Sequence, residues 1–321
     1  MTPLRRASSS LVLACALLAL QACSDRSESA DPTRADSPFP VLQTIGSAGN
    51  LPGQFQYPRA LAADPRARLL YVIDKMTGRV QSFNADTGRL AAWWLMPKSD
   101  RGKPTGCSVA PDGSLYVADT HENRIMVFAP DGRLIRSFGS YGLGPGQFTY
   151  PTDVAFGPDD TYYISEFGGN DRIQVFDAAG NFLFSFGSFG PETGQFNRPQ
   201  SMEFTPDGRE LWIADACNHR IVITDPQGNW ITTFGRAGTG PGELSYPYSL
   251  ILLPDGSALI TEFGNNRIQR LARDGTSLGI IGRTGSAPGE LRCPWGLAAL
   301  DDRAFVIDAG NNRIEAFALP K

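Results

Sequence analysis

Six times along this chain an acidic residue, a short turn and an Arg-Ile or Arg-Val pair recur. They are Asp74…Arg79-Val80, Asp119…Arg124-Ile125, Glu166…Arg172-Ile173, Asp215…Arg220-Ile221, Glu262…Arg267-Ile268 and Asp308…Arg313-Ile314. The arginines follow one another at intervals of 45 to 48 residues. A unit of that length cannot bury its apolar face alone, so copies must stack into a solenoid, a propeller or another array. Architecture follows from the period. Activity does not, because chemistry on such scaffolds lives in a local site.

One repeat holds four short apolar stretches: Pro151 to Phe156, Thr161 to Ser165, Arg172 to Phe176 and Asn181 to Phe186. Each is rich in β-branched or aromatic residues and bounded by turn residues. Pro-Asp-Gly at 111–113, 130–132, 206–208 and 254–256 supplies turns, with Pro fixing φ and Gly accepting φ > 0. With 35 Gly and 24 Pro in 321 residues and no sustained helical period, an all-β chain of low helix content is expected. Four strands per repeat fit a propeller blade, and six motifs imply six blades. The last repeat stops at its third strand, while Val41 to Gly46 matches the fourth-strand pattern. That N-terminal segment is expected to complete the last blade and close the ring.

Gly144-Pro-Gly-Gln-Phe-Thr-Tyr-Pro151, its cousins at 52–58, 240–247 and 288–294, and Val117-Ala-Asp-Thr-His-Glu-Asn-Arg-Ile125 resemble the NHL repeat. The resemblance spans residues 41 to about 317 and implies a six-bladed NHL-type β-propeller over 41–321. It departs most in the second repeat, where Pro97 to Gly106 replaces the Gly-Pro-Gly-Gln-Phe segment. Enzymes, sensor domains and binding platforms all use such repeats.

Residues 1–22 have the form of a targeting segment: Arg5 and Arg6, then the apolar run Leu11 to Leu20. Leu20-Gln21-Ala22-Cys23 resembles the lipobox of bacterial lipoproteins, which implies lipidation of Cys23. Residues 23–40, rich in Ser, Asp, Arg and Pro, have the composition of a flexible tether. A bacterial envelope lipoprotein is expected, on the outer membrane if the cell is Gram-negative, since Ser24 rather than Asp follows the cysteine. The net charge of −4 argues against a nucleic-acid partner.

The starts of the first strands and the turns after the second strands share one rim, where a ligand is expected. Arg59, Gln200, Tyr248 and Trp295 combine aromatic area with hydrogen-bonding tips. Glu166 and Glu262 replace Asp in two motifs and precede Phe167 and Phe263, suggesting carboxylates backed by rings. His121 and His219 lie in the acidic turns and are the candidate metal ligands, for one Zn or Ca ion. Peptidyl-hydroxyglycine lyases, which are similar propellers, hold a metal through histidines near the starts of the innermost strands. Arg59, Thr105, Thr152, Gln200, Tyr248 and Trp295 occupy those positions here, and none is His. Cys107, Cys217 and Cys293 show no metal-binding spacing.

Two functions follow as expectations. The first is a non-catalytic platform, without cofactor, that binds a protein, peptide or glycan on the acidic-turn rim. The alternative is a metal-dependent lyase or lactonase acting on a small molecule in the central channel.

Overall fold

The computed structural model describes residues 40–97 and 104–319; the leader and most of the tether (1–39) lie outside the described residues. Its strands form six antiparallel four-stranded sheets, the blades of a six-bladed β-propeller. Blade 1 covers Pro58–Leu95, blade 2 Gly106–Phe138, blade 3 Pro151–Phe186, blade 4 Pro199–Phe234 and blade 5 Pro247–Ile281. Blade 6 takes its three inner strands from Pro294–Ala318 and its outermost strand from Val41–Ile45. Val41 pairs with Phe317 and Ile45 with Ile314, as the fourth-strand pattern of the N-terminal segment predicts. Helix is confined, among the described residues, to single 3-10 turns at Thr120–Glu122, Ala216–Asn218 and Ala309–Asn311.

The innermost strands pack side by side around the axis, with Pro58–Asp64 against both Gly106–Val109 and Pro294–Leu300, so the ring closes. Inner strands are buried along most of their length, whereas outermost strands alternate between half-buried and exposed positions. This gradient follows from layering, since each sheet is covered by its neighbours near the axis and by water at the circumference.

Between blades the Gly-Gln-Phe segments fold back as plugs. Phe55, Phe148, Phe196, Leu244 and Leu291 are fully buried, each in a parallel bridge to the segment that precedes it. Burying such a side chain contributes roughly 1.5–3 kcal/mol. The glycine ending the fourth strand makes room for the plug: a Cβ on Gly139 would stand 2.6 Å from the Phe148 ring.

A second periodic device joins the blades. Tyr57, Tyr150, Arg198, Tyr246 and Cys293, each just before a first-strand proline, have positive φ. Their backbone N–H groups donate to Asn312, Asn123, Asp171, His219 and Asn266 of the preceding blade, at 2.6–3.1 Å. Five junctions carry this latch. Blade 1 has Gly78 at the corresponding position, with no side chain to offer blade 2.

Candidate functional site

The six acids of the repeat motif are interior groups. Asp74, Asp119, Glu166, Asp215, Glu262 and Asp308 are all at most 1 % exposed. Five pair with the arginine of their own motif: Asp119–Arg124 at 2.9 Å, Glu166–Arg172 at 2.6 Å, Asp215–Arg220 at 2.7 Å, Glu262–Arg267 at 2.5 Å and Asp308–Arg313 at 2.8 Å. Their second oxygens commonly cap the plug segment, as where Thr149 N–H donates to Glu166 Oε2 at 2.5 Å and Ser245 N–H to Glu262 Oε2 at 3.0 Å. Burial raises the pKa of both glutamates, and their arginines oppose it. The expectation that Glu166 and Glu262 face a ligand on the rim is therefore corrected. Each spans from its arginine to the plug, as Asp215 and Asp308 also do, and both oxygens are engaged inside the protein.

The histidines are likewise engaged. His219 Nδ1 accepts the Tyr246 N–H at 3.1 Å, and its ring meets the Tyr246 ring at 4.5 Å. Burial lowers its pKa, which keeps the ring neutral and able to accept. His121 lies on the exposed turn of blade 2 against Tyr150, at 5.5 Å. The pairing of His121 and His219 on one metal is corrected too, because His219 substitutes for the latch asparagine. Among the described residues no group of three or more His, Cys, Asp or Glu side chains could hold a metal. Cys107 is a buried thiol whose pKa burial raises well above normal.

A cavity of about 340 Å³ runs along the axis, lined by all six innermost strands. Arg59, Gln200, Tyr248 and Trp295 come together at its mouth. Tyr248 and Trp295 have ring centroids 4.4 Å apart, and Phe263 closes the cluster at 4.9 Å from Tyr248 and 5.5 Å from Trp295. Arg59 lies over the Trp295 ring at 4.0 Å. Arg198, one residue before the blade 4 proline, lies over Tyr248 at 5.0 Å and Phe167 at 4.9 Å. Its Nε donates to Gln200 Oε1 at 2.9 Å, which fixes that amide. Burial pushes the Arg59 guanidinium down to about 10; the Tyr57 phenol opposes this, and the neighbouring Arg198 charge adds to it. Burial also pushes the Tyr248 phenol up to about 12.

Further along, the wall is made mostly of small residues. Gly106 and Gly296 allow close approach of neighbouring strands, since a Cβ would fall 2.0 Å from Thr152 O and 2.8 Å from Arg59 O, respectively. Two carboxylates interrupt this lining, Asp153 of blade 3 and Glu203 of blade 4. Asp153 Oδ2 accepts the Met202 N–H and Glu203 Oε2 the Leu252 N–H, both at 2.9 Å. Ser201 and Ser249 do the same for Leu250 and Leu297, so part of each acid's role is to stitch inner strands together. Burial raises Asp153 to about 7 and Glu203 to about 8, with the Asp153 charge adding to the shift of Glu203. No salt bridge to a cation compensates either group among the described residues. The channel thus has two unlike ends, with guanidinium groups and aromatic rings at the mouth and an interacting pair of acids within.

Sequence reasoning placed Arg59, Gln200, Tyr248 and Trp295 near one another but missed Arg198, Asp153 and Glu203. A register shift follows the first-strand proline in blades 3 and 4, between Pro151 and Asp153 and between Pro199 and Ser201. The residue after the proline therefore sits at the mouth, and the inward positions begin one residue later. Carboxylates at those later positions, in strands otherwise lined by Ala, Ser and Gly, were the available signal.

Residues 25–167, short of half the chain, match the family described as SMP-30/Gluconolactonase/LRE-like region. Among solved structures the chain is similar to a streptogramin B lyase, at TM-score 0.61 and 16 % identity, covering 84 % of this chain and 96 % of that one. A virginiamycin B lyase from Staphylococcus aureus matches at TM-score 0.57 and 17 % identity, over 88 % and 100 %. A calcium-binding protein, regucalcin, from Agrobacterium tumefaciens matches at TM-score 0.62 and 13 % identity, over 86 % and 95 %. The property common to all of them is the six-bladed propeller, with a likeness to the gluconolactonase group over the first half of this chain.

Proposed function

We propose that the chain is a lyase- or lactonase-type enzyme acting on a small organic molecule in its central channel. The observation that carries this is the cavity itself, whose cationic, aromatic mouth leads to a carboxylate pair that ionises near neutral pH. Elimination and the opening of a cyclic ester both need one group to take a proton and another to return one. Like charges in a desolvated site separate the two ionisations, so one acid is charged while the other still holds its proton. Asp153 and Glu203, both raised by burial, are the pair that shares these two roles. The partial match to the gluconolactonase group and the likeness to two lyases support the same class. A platform binding a protein, peptide or glycan on the rim draws no such support, and its acids are internal.

One similar structure is described as a calcium-binding protein. Asp153 and Glu203 are the carboxylates a divalent cation would meet in this channel. Two carboxylates fall well short of the six to eight oxygens calcium takes, and no step is routed through a metal.

The test is turnover of a panel of lactones and elimination substrates, with Asp153→Asn and Glu203→Gln compared against the parent chain. Loss of activity by roughly 10²-fold or more in each variant, with folding intact, is expected. Unchanged turnover in both variants would sink the reading. The envelope setting, with an NHL-type propeller tethered by residues 23–40, is part of the same proposal and rests on Arg5-Arg6, the apolar run and Leu20-Gln21-Ala22-Cys23. Incorporation of labelled fatty acid that disappears in Cys23→Ser would support it, and equal labelling of the variant would refute it.

A further inference from the structure

The mouth of the channel holds more donors than the protein satisfies. Arg59 Nε, Gln200 Nε2 and Trp295 Nε1 are buried with no hydrogen-bond acceptor. These side chains are only 8 %, 2 % and 3 % exposed. Arg198, at 7 % exposure, spends its Nε on Gln200 and has no carboxylate partner among the described residues. The contrast with Arg172 and Arg267, which are buried to a similar degree against Glu166 and Glu262, is plain. A desolvated guanidinium without a counter-charge is costly, and two neighbouring ones repel each other as well. The molecule has acidic residues in surplus, with 33 Asp and Glu against 29 Lys and Arg, yet none among the described residues pairs with either guanidinium. Acceptor-bearing negative charge brought into the channel supplies the counter-charge that both guanidinium groups lack.

The surroundings narrow its chemistry. Tyr248, Phe263 and Trp295 form an apolar wall beside Arg59, and Phe167 lies under Arg198. A hydrated inorganic anion has nothing to offer those rings, whereas a flat organic anion covers them while its charged end meets the guanidinium forks. We infer that the mouth is a binding site for an organic carboxylate, held by Arg59 and Arg198 with its planar body on the Tyr248–Phe263–Trp295 wall. This rests on the channel as the site of turnover and deepens it by naming the substrate class. The carboxylate would anchor the molecule at the cationic end and leave its reacting bond to be offered to Asp153 and Glu203.

Calorimetric titration of the full chain with benzoate, its neutral analogue benzamide and inorganic phosphate tests the inference without requiring turnover. Benzoate should bind at least 10-fold more tightly than benzamide and more tightly than phosphate, with affinity falling as salt is raised. Arg59→Gln and Arg198→Gln should each weaken benzoate at least 10-fold, with Arg59→Lys in between. Equal affinity for benzoate and benzamide, preference for phosphate, or full benzoate binding in Arg198→Gln would overturn it. Should Arg59→Gln fail to fold, Arg198→Gln carries the comparison, because among the described residues that side chain makes one protein hydrogen bond, to Gln200. Asp153→Asn and Glu203→Gln should keep benzoate binding. Binding without turnover in the parent chain would refute the enzymatic reading and leave the carboxylate site standing; turnover without charge selectivity would do the reverse.

Discussion

Five junctions between blades are built alike, and the one between blades 1 and 2 is not. At the five, a side chain from the turn of one blade accepts the N–H that precedes the next blade's proline, and a plug residue fills the wedge below. Between blades 1 and 2, Gly78 offers only its carbonyl, which accepts the Met96 N–H at 2.9 Å. Trp94 and Met96 supply the apolar filling instead, with Trp94 5.8 Å from the Phe128 ring and 6.3 Å from that of Tyr71. The motif acids on either side differ from the rest: Asp119 Oδ1 has no donor among the described residues, and Arg79 Nε has no acceptor because Asp74 turns its carboxylate to the N–H groups of Gln56, Met76 and Thr77. Repetition therefore stabilises a ring whose sixth seam lacks the latch among the described residues and rests on this packing, with Arg66 donating to Pro111 O and Arg124 Nη2 to Pro97 O at 2.7 Å. Polar latches specify geometry, whereas apolar filling tolerates slippage.

Several measurements can break or sharpen this contrast. The largest effect is expected from Glu262→Ala, which leaves the 2 % exposed Arg267 without its counter-charge and should cost about 3–5 kcal/mol in chemical denaturation. Asp119→Ala beside the odd seam should cost clearly less, since one of its oxygens already lacks a donor and Arg124 is more exposed; equal costs would erase the distinction. Next come the latches. Asn266→Ala should lose about 1–2 kcal/mol, and His219→Ala a similar amount, while His219→Asn should be nearly neutral. A large loss in His219→Asn, or a change in metal content measured by elemental analysis, would mean that the imidazole does more than latch.

The channel acids give a prediction in pH. Their folded pKa values, about 7 and 8, lie above those of an unfolded chain, so the folded state binds more protons between roughly pH 4 and 8. Their contribution is fully present below the unfolded values and is lost as pH rises through the folded ones, so the melting temperature should fall from pH 5 to 9. The double variant Asp153→Asn with Glu203→Gln should flatten that slope in part, because Asp171 and Asp215 at about 6 and Glu315 at about 7 contribute in the same direction. An unchanged slope would show that neither carboxylate is desolvated. The smallest effect is expected from Trp93→Ala: with 47 % exposure it should shift stability by under about 1 kcal/mol, unlike Trp94→Ala in the same seam, at about 3 kcal/mol or more.

What the sequence disclosed and what it hid follow from this same logic. Blade number, strand pattern and ring closure by Val41–Ile45 were legible because the repeat recurs at a fixed interval. The departure at Pro97 to Gly106 was visible as an interruption of that recurrence. Hidden were features defined by three-dimensional register. The left-handed backbone at Tyr57, Tyr150 and Tyr246 makes these residues latch donors as well as aromatic surface. His219 fills an asparagine's place, which looks like a metal ligand until its partner is known. Asp153 and Glu203 stand at inward positions that the register shift after the proline displaces by one residue. The channel groups sit where the repeat is broken, and periodicity is blind there.

The closure of blade 6 by the earliest strand has a mechanical and a temporal consequence. Val41–Ile45 leaves the ribosome before any other part of the ring, yet its partner, Arg313–Ala318, is the last strand of the ring to be made. The ring cannot be fastened until all six blades have been made, a contact of extreme sequence separation that slows folding. Once fastened, the same strand is the first to feel a pull on the chain that precedes it. Load applied there would be borne by one antiparallel ladder, and release of that ladder is the step at which the ring would begin to unwind.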